Sequence, residues 1–259
     1  MNDSYIAILD SGLGGLAVLN KLIEKLPNER FLYYGDGVNA PYGNRSVNEL
    51  YSIALKRIEE MGKYPLKAVV LACNTLSVNV RAKIENSLGI PVFGVFPSIE
   101  KYIMCGEPCL LLATERTAEK FINMPHVDVV GLKTLARDIE YNMFNMHAVD
   151  LNKNLTRSIG NFVNEKGYYN AVILGCTHYI FIRNKIFDHF CPKIIEDSTT
   201  FTIKKVKEYI INNKSLVNHK GFDLKFIGEY ATVYKNFCVS SGQEWQKVIN
   251  FFKKKVKKF

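Results

Sequence analysis

Two stretches of the 259-residue chain, AVVLACNTLS (Ala68 to Ser77) and AVILGCTHYI (Ala171 to Ile180), carry Ala-Val, Leu and Cys at identical offsets, 103 positions apart. Each is a short, continuously apolar run ending in a cysteine and small polar residues, the form of a strand buried on both faces of a parallel sheet. Around them the pattern alternates. Tyr5 to Leu9, Phe31 to Gly35, Ala68 to Ala72 and Val92 to Val95 read as strands, and Gly15 to Leu26, Ser46 to Met61 and Leu76 to Leu88 as helices. The rhythm then restarts, with strands expected at Leu110 to Ala113, Val127 to Val130, Ala171 to Gly175 and Lys193 to Ile195. Strands separated by helices of this length pair in parallel. The expected fold class is α/β, with two similar doubly wound halves, mainly parallel sheets and a cleft between them. Asp10 displaced by the same interval falls on Ala113, beside Thr114, which fits an internal repeat.

At roughly 100–200 residues per domain, this length holds one large domain or two small ones. Residues 1–97 with 211–259 are expected to form the first domain, holding Asp10 and Cys73, and 98–210 the second, holding Cys176 and His178. The segments after about Ile211 have no counterpart in the second half and return to complete the first. Apolar residues at 47% and charged residues at 23% are ordinary globular usage and exclude collagen-like and disordered classes. No apolar run approaches the roughly 18 residues of a membrane helix, and the opening MNDSYIAILD lacks the basic and apolar regions of a secretory signal, so a cytoplasmic protein is expected. The net charge is +9, but six lysines fall in the last thirteen residues, and without them the balance drops to +3. That tail, with Lys253 to Phe259 at its end, is read as a solvated terminal helix rather than a nucleic-acid or lipid contact. The sequence leaves the oligomeric state open, a homodimer included.

In a parallel sheet, ligands sit in the crevice outside the carboxyl ends of the strands, where Cys73 and Cys176 both fall. The residues that follow, Asn74 and Thr75 or Thr177 and His178, suit a helix start, whose free N–H groups favour a thiolate or a substrate carboxylate. One thiol from each half, facing across the cleft, supplies what two-base proton exchange needs: a thiolate that removes an α-proton and a thiol that protonates the opposite face. Alone, either cysteine is equally read as a small apolar residue ending a core strand. Cys105, Cys109, Cys191 and Cys238 are assigned no chemistry, and no metal-ligand spacing is present. After the first strand, DSGLGGLA fits G-x-G-x-x-A, with Asp36 ending the next strand, so a dinucleotide-binding oxidoreductase is a competing reading. Otherwise Asp10 receives an ammonium group, assists Cys73 or caps the following helix, while Ser11 hydrogen-bonds a ligand. The loop APYG offers Tyr42 as a wall and Gly43 for close backbone approach, or is an ordinary turn.

In order and spacing, ILDSGLGGLAVL, YYGDGVNAPYGNRS, LACNTLS and LGCTHY resemble the glutamate racemase family of cofactor-independent aspartate and glutamate racemases, over at least Ile6 to Ser198. The resemblance implies two α/β halves closing on glutamate and interconversion of its enantiomers without a cofactor, supplying D-glutamate for peptidoglycan. It implies Cys73 and Cys176 as proton donor and acceptor, with Asp10 and His178 assisting the neighbouring thiols. It further implies that Asp10 with Ser11, Tyr42 with Gly43, Asn74 with Thr75, and Thr177 with His178 hold the amino acid's charged groups. Glu140, in LARDIEYN, resembles the acid that the family places after a middle strand, although the residues leading to it lack the usual apolar-proline pattern. Leu76 and Ile180 also depart from the family, which commonly has a small residue and a proline there. A racemase of another amino acid such as aspartate, or a non-catalytic binding protein on the same scaffold, is the alternative.

Overall fold

Every run read as a strand falls on a strand of the computed structural model, which describes residues 3–143, 153, 169–213, 216–217 and 221–240. The lysine-rich tail at 253–259 lies outside the described residues. The first part of the chain runs β1 (Tyr5–Asp10), α1 (Gly15–Lys25), β2 (Arg30–Gly35), α2 (Val47–Met61), β3 (Leu66–Leu71), α3 (Asn74–Ser87) and β4 (Val92–Gly94). The second runs α4 (Glu100–Cys105), β5 (Cys109–Ala113), α5 (Glu115–Ala118), β6 (Val127–Gly131), α6 (Leu135–Met143), β7 (Ala171–Gly175), α7 (Arg183–Phe190) and β8 (Ile194–Asp197). Then follow α8 (Thr200–Asn212), β9 (Asp223–Ile227) and α9 (Ala231–Ser240).

Among the described residues the strands form two wholly parallel sheets, β4-β3-β1-β2-β9 and β6-β5-β7-β8. The repeat is thereby explained: β1 and β5 hold matching places, with β3 and β7, the strands that lead into the two cysteines, beside them. Alternate residues of a strand face opposite sides, so both sides must be apolar if helices cover both. Ile6 and Ile8 pack on one face with Leu16, Leu19 and Tyr33, while Ala7 and Leu9 pack on the other with Leu50, Ala54 and Val80. Leu110 and Leu112 lie opposite Cys109, Leu111 and Ala113 in the same way. Each such leucine contributes about 1.5–3 kcal/mol of burial.

Helix α8 places Ile203, Val206 and Ile210 in the core cluster of Ile6 and Ile8, and Thr202 donates to the Gly94 carbonyl at 2.7 Å. The chain therefore returns to the first sheet's layers with α8, ahead of the crossing read near residue 211. β9 then pairs with β2 along the sheet edge, and α9 adds Tyr234 and Phe237 to that same cluster. All the strand ends that matter chemically, those of β1, β3, β5 and β7, open toward the space between the sheets.

Candidate active site

Cys73 and Cys176, 6% and 8% exposed, follow β3 after one residue and β7 at once, and line one cavity of about 180 Å³ between the sheets. Burial and then the buried Asp10 carboxylate push the Cys73 thiol up to about 12, against the Leu76 N–H and the Ser11 hydroxyl, which favour its thiolate. Helix α3 starts at once with Asn74, and Ser77 ties its first turn to the sheet by donating to the Cys73 and Leu71 carbonyls at 2.9 and 3.0 Å. After Cys176 the chain departs from the mirror image. A six-residue 3-10 segment, Thr177–Ile182, precedes α7 where the repeat suggested a helix start.

The second thiol sits in a relay. His178 Nδ1 lies 3.8 Å from the Cys176 sulfur, and its Nε2 lies 2.7 Å from Glu140 Oε2. Burial works against a charged ring, yet the hydrogen bonds with Cys176 and Glu140 hold His178 well above its usual range. Glu140 thus arrives at the site on α6, despite the unfamiliar residues that lead to it.

The glycines of the first turn make room for this relay. A Cβ on Gly12 would lie 2.1 Å from Glu140 Oε2, and one on Gly14 would lie 2.5 Å from Thr177 Oγ1 and 2.6 Å from His178 Nδ1. The G-x-G spacing lets side chains of the second sheet's layers press against the first sheet's backbone. Asp10 lies just behind, fully buried. Its Oδ2 accepts the Gly12 and Gly15 amides at 3.1 and 2.9 Å, while Oδ1 has no hydrogen-bond partner among the described residues. The two oxygens of one carboxylate are therefore distinct, Oδ2 held by the turn and Oδ1 left over. Burial raises its pKa above the ordinary carboxylate range, with His178 and the two amides pulling downward.

Asp36, the acid that the dinucleotide reading assigned to a ribose, is enclosed instead. Arg57 lies 3.2 Å from it, and Asn39 and the Tyr42 hydroxyl donate to it at 2.8 and 2.7 Å. Tyr42 accordingly meets the cavity with its ring and backbone, its hydroxyl being held by Asp36. Ser11, Gly43, Asn74, Thr75, Thr177 and His178 line the cavity with the two thiols, and of the candidate residues Asp10 alone lies behind its wall.

The sequence reading missed other lining residues: Thr114, Lys133, Arg137, Tyr141 and Tyr230. Thr114 was signalled by the repeat interval, and its hydroxyl joins those of Thr75 and Thr117 at 3.0 Å each. Lys133, just ahead of α6, and Arg137, in its first turn, bring positive charge to the cavity. Among the described residues no group of three or more His, Cys, Asp or Glu side chains is placed to hold a metal ion, and no helix is long and apolar enough to cross a membrane. Cys105 and Cys191 are exposed, and Cys109 and Cys238 are buried away from the cavity.

Two matched parallel sheets that direct one thiol each at a shared pocket define a class, the two-lobed α/β racemases. Over 226 residues the chain is 32% identical to the glutamate racemase of Clostridium perfringens (strain SM101 / Type A), covering 82% of this chain and 85% of the relative. The glutamate racemase of Clostridium novyi (strain NT) is 33% identical over 224 residues with the same coverage. Among solved structures, glutamate racemase isoform RacE1 from Bacillus anthracis matches with a TM-score of 0.76 at 25% identity, covering 92% of this chain and 94% of that one. No protein-family model matches. The chain belongs to the glutamate racemase family of isomerases.

Proposed function

We propose that this protein interconverts L- and D-glutamate in the cytoplasm by proton transfer between two thiols, supplying D-glutamate for peptidoglycan. The observation that carries the reading is the pair of buried cysteines at the ends of equivalent strands, both open to one cavity. One sulfur, as thiolate, takes the proton from Cα, and the electron pair left behind spreads into the α-carboxylate. The other sulfur, as thiol, delivers a proton to the opposite face, and the roles exchange in reverse.

The surrounding residues divide the work. The substrate ammonium goes to the unpartnered Asp10 Oδ1. Its positive charge offsets the carboxylate that pushes Cys73 up, so the bound substrate itself eases formation of the Cys73 thiolate. His178 passes a proton to or from Cys176, with Glu140 holding the ring. The free N–H groups and side chains of Asn74, Thr75 and Thr177, with Ser11 and the Tyr42–Gly43 backbone, receive the two carboxylates. Lys133 and Arg137 favour a substrate of net negative charge over a neutral amino acid. The domain division belongs to the same proposal: one unit from the start of the chain through residue 97 plus α8 onward, the other between.

The test is racemisation of each glutamate enantiomer in deuterium oxide, with nothing added but buffer. Inversion with deuterium appearing at Cα is expected, and Cys73→Ala and Cys176→Ala should each abolish it, since loss of either face stops inversion. Folded protein at high concentration that exchanges nothing, or a single variant that keeps near-normal turnover, rejects the two-thiol reading.

A further inference from the structure

Glu140 has two carboxylate oxygens, and only one of them is explained by His178. The other, Oε1, accepts a hydrogen bond at 3.2 Å from the hydroxyl of Tyr234. Tyr234 comes from α9, almost a hundred residues further along the chain and on the opposite lobe, and it is 0% exposed. Its place is built for it. A Cβ on Gly35, the last residue of β2, would lie 2.4 Å from the Tyr234 ring, so glycine there makes room for this side chain, and one on Gly37 just beyond would lie 3.1 Å from its hydroxyl. The Tyr33 ring meets it edge-on at 5.9 Å, while the Tyr33 hydroxyl donates at 2.6 Å to the carbonyl of Gly12, the residue Glu140 rests against.

We propose that Tyr234 is a positioning residue for the Cys176 half of the reaction. Its hydroxyl fixes the Glu140 carboxylate so that Oε2 stays on His178, and His178 in turn stays on Cys176. Helix α9 of the first lobe thereby sets the acid–base relay of the second, and the two lobes are latched at the reacting end of the cleft. A carboxylate on a helix surface has free rotation about its terminal bond. Two opposed donors remove that freedom. The inference rests on the racemase reading for its kinetic part, and on geometry alone for its spectroscopic part.

The groups that face the relay are Cys176 beside it, Asp10 from β1, Tyr33 from β2, Tyr234 from α9 and Tyr230 before it, Lys133 ahead of α6, and Arg137 and Tyr141 on α6. Tyr234→Phe keeps the ring and removes only the hydroxyl. The variant is expected to lower kcat about tenfold with KM changed less than twofold, because the loss falls on proton transfer rather than on substrate contacts. In the Glu140→Gln background the same change should cost little more, since the group it acts through is already altered. Independently of turnover, the His178 imidazole proton signals should titrate at lower pH in Tyr234→Phe than in the unaltered protein. An unchanged kcat and an unchanged His178 titration overturn the proposal, as does a kcat loss that is fully additive with Glu140→Gln. If the unaltered protein racemises nothing, the racemase reading falls, and the His178 titration alone decides the latch.

Discussion

A methyl group at Gly12 would occupy the space of the Glu140 carboxylate, 2.1 Å from Oε2, and this single contact separates folding from chemistry. Gly12 has no positive φ to demand glycine, so alanine suits the backbone and only the neighbour must move. Gly12→Ala is therefore expected to fold while losing about 100-fold in kcat, as Glu140 swings off His178 and the relay to Cys176 opens. Steady-state kinetics beside a thermal melt checks it; a variant with native turnover shows that Glu140 need not lie there. That the two thiols meet at one cavity was legible in the sequence, because the repeat places both at the ends of equivalent strands. The reason for the glycines was not. Their spacing satisfies a phosphate-binding turn equally well, and the side chains that require them lie more than 120 residues away. Tyr234 escaped for the same cause, being one aromatic in an unremarked helix until the fold sets it against Glu140.

Strands buried on both faces read clearly, since their composition depends on nothing distant, and the boundaries expected for β1, β3, β5 and β7 hold within a residue or two. The segment after Cys176 did not follow its counterpart. A three-residue period stacks Tyr179 over Ile182 against the core of the second sheet and leaves His178 to face the cavity. Polarity alone does not distinguish that turn from an α-helix start. At the end of the first sheet away from the cavity, β3 brings Lys67 onto Glu29 in an ion pair almost closed to solvent, and the Lys67 ammonium also donates to the Leu216 carbonyl at 2.7 Å. Removing one partner of such a pair costs about 3–5 kcal/mol, because the remaining charge stays buried. Lys67→Met should lower the melting point by roughly 10 °C, at about 2–4 °C per kcal/mol for a chain of this size, with kcat retained. Exchanging both residues for apolar ones should restore most of the loss in a urea titration. A single variant as stable as the parent shows that the pair contributes nothing.

At the scale of the molecule, the buried groups around the cleft also decide which pH it tolerates. His178 is held well above its usual value near 6.5, so the folded protein keeps a proton that the unfolded chain releases. The stability this contributes is fully present below about pH 6.5 and is lost as pH rises through the folded value, at about 1.4 kcal/mol per pH unit. The other raised acids act in the same direction, buried Asp10 from about pH 3.8 upward and the thiol and phenols at higher pH. Cys73, up from 9.0 to about 12, loses its share between those values, and Tyr33, Tyr42 and Tyr179 do so above 10. On the acid side, Asp197 is buried yet held low by Lys21 and Thr199, and Asp223 is likewise held low by Tyr5 and Arg30. Both contribute above about 3.8 and lose it as pH falls through their folded values. Stability should therefore peak on the acid side of neutrality and decline as pH rises above about 6.5, with His178 the group responsible just above neutrality. His178→Gln should flatten that stretch while leaving the steeper fall above pH 10 in place, read as melting temperature against pH in buffers of constant ionic strength. A parent protein with a level profile from pH 7 to 9 means that the imidazole is not held charged, and the relay from Glu140 through His178 to Cys176 would then start from a neutral ring.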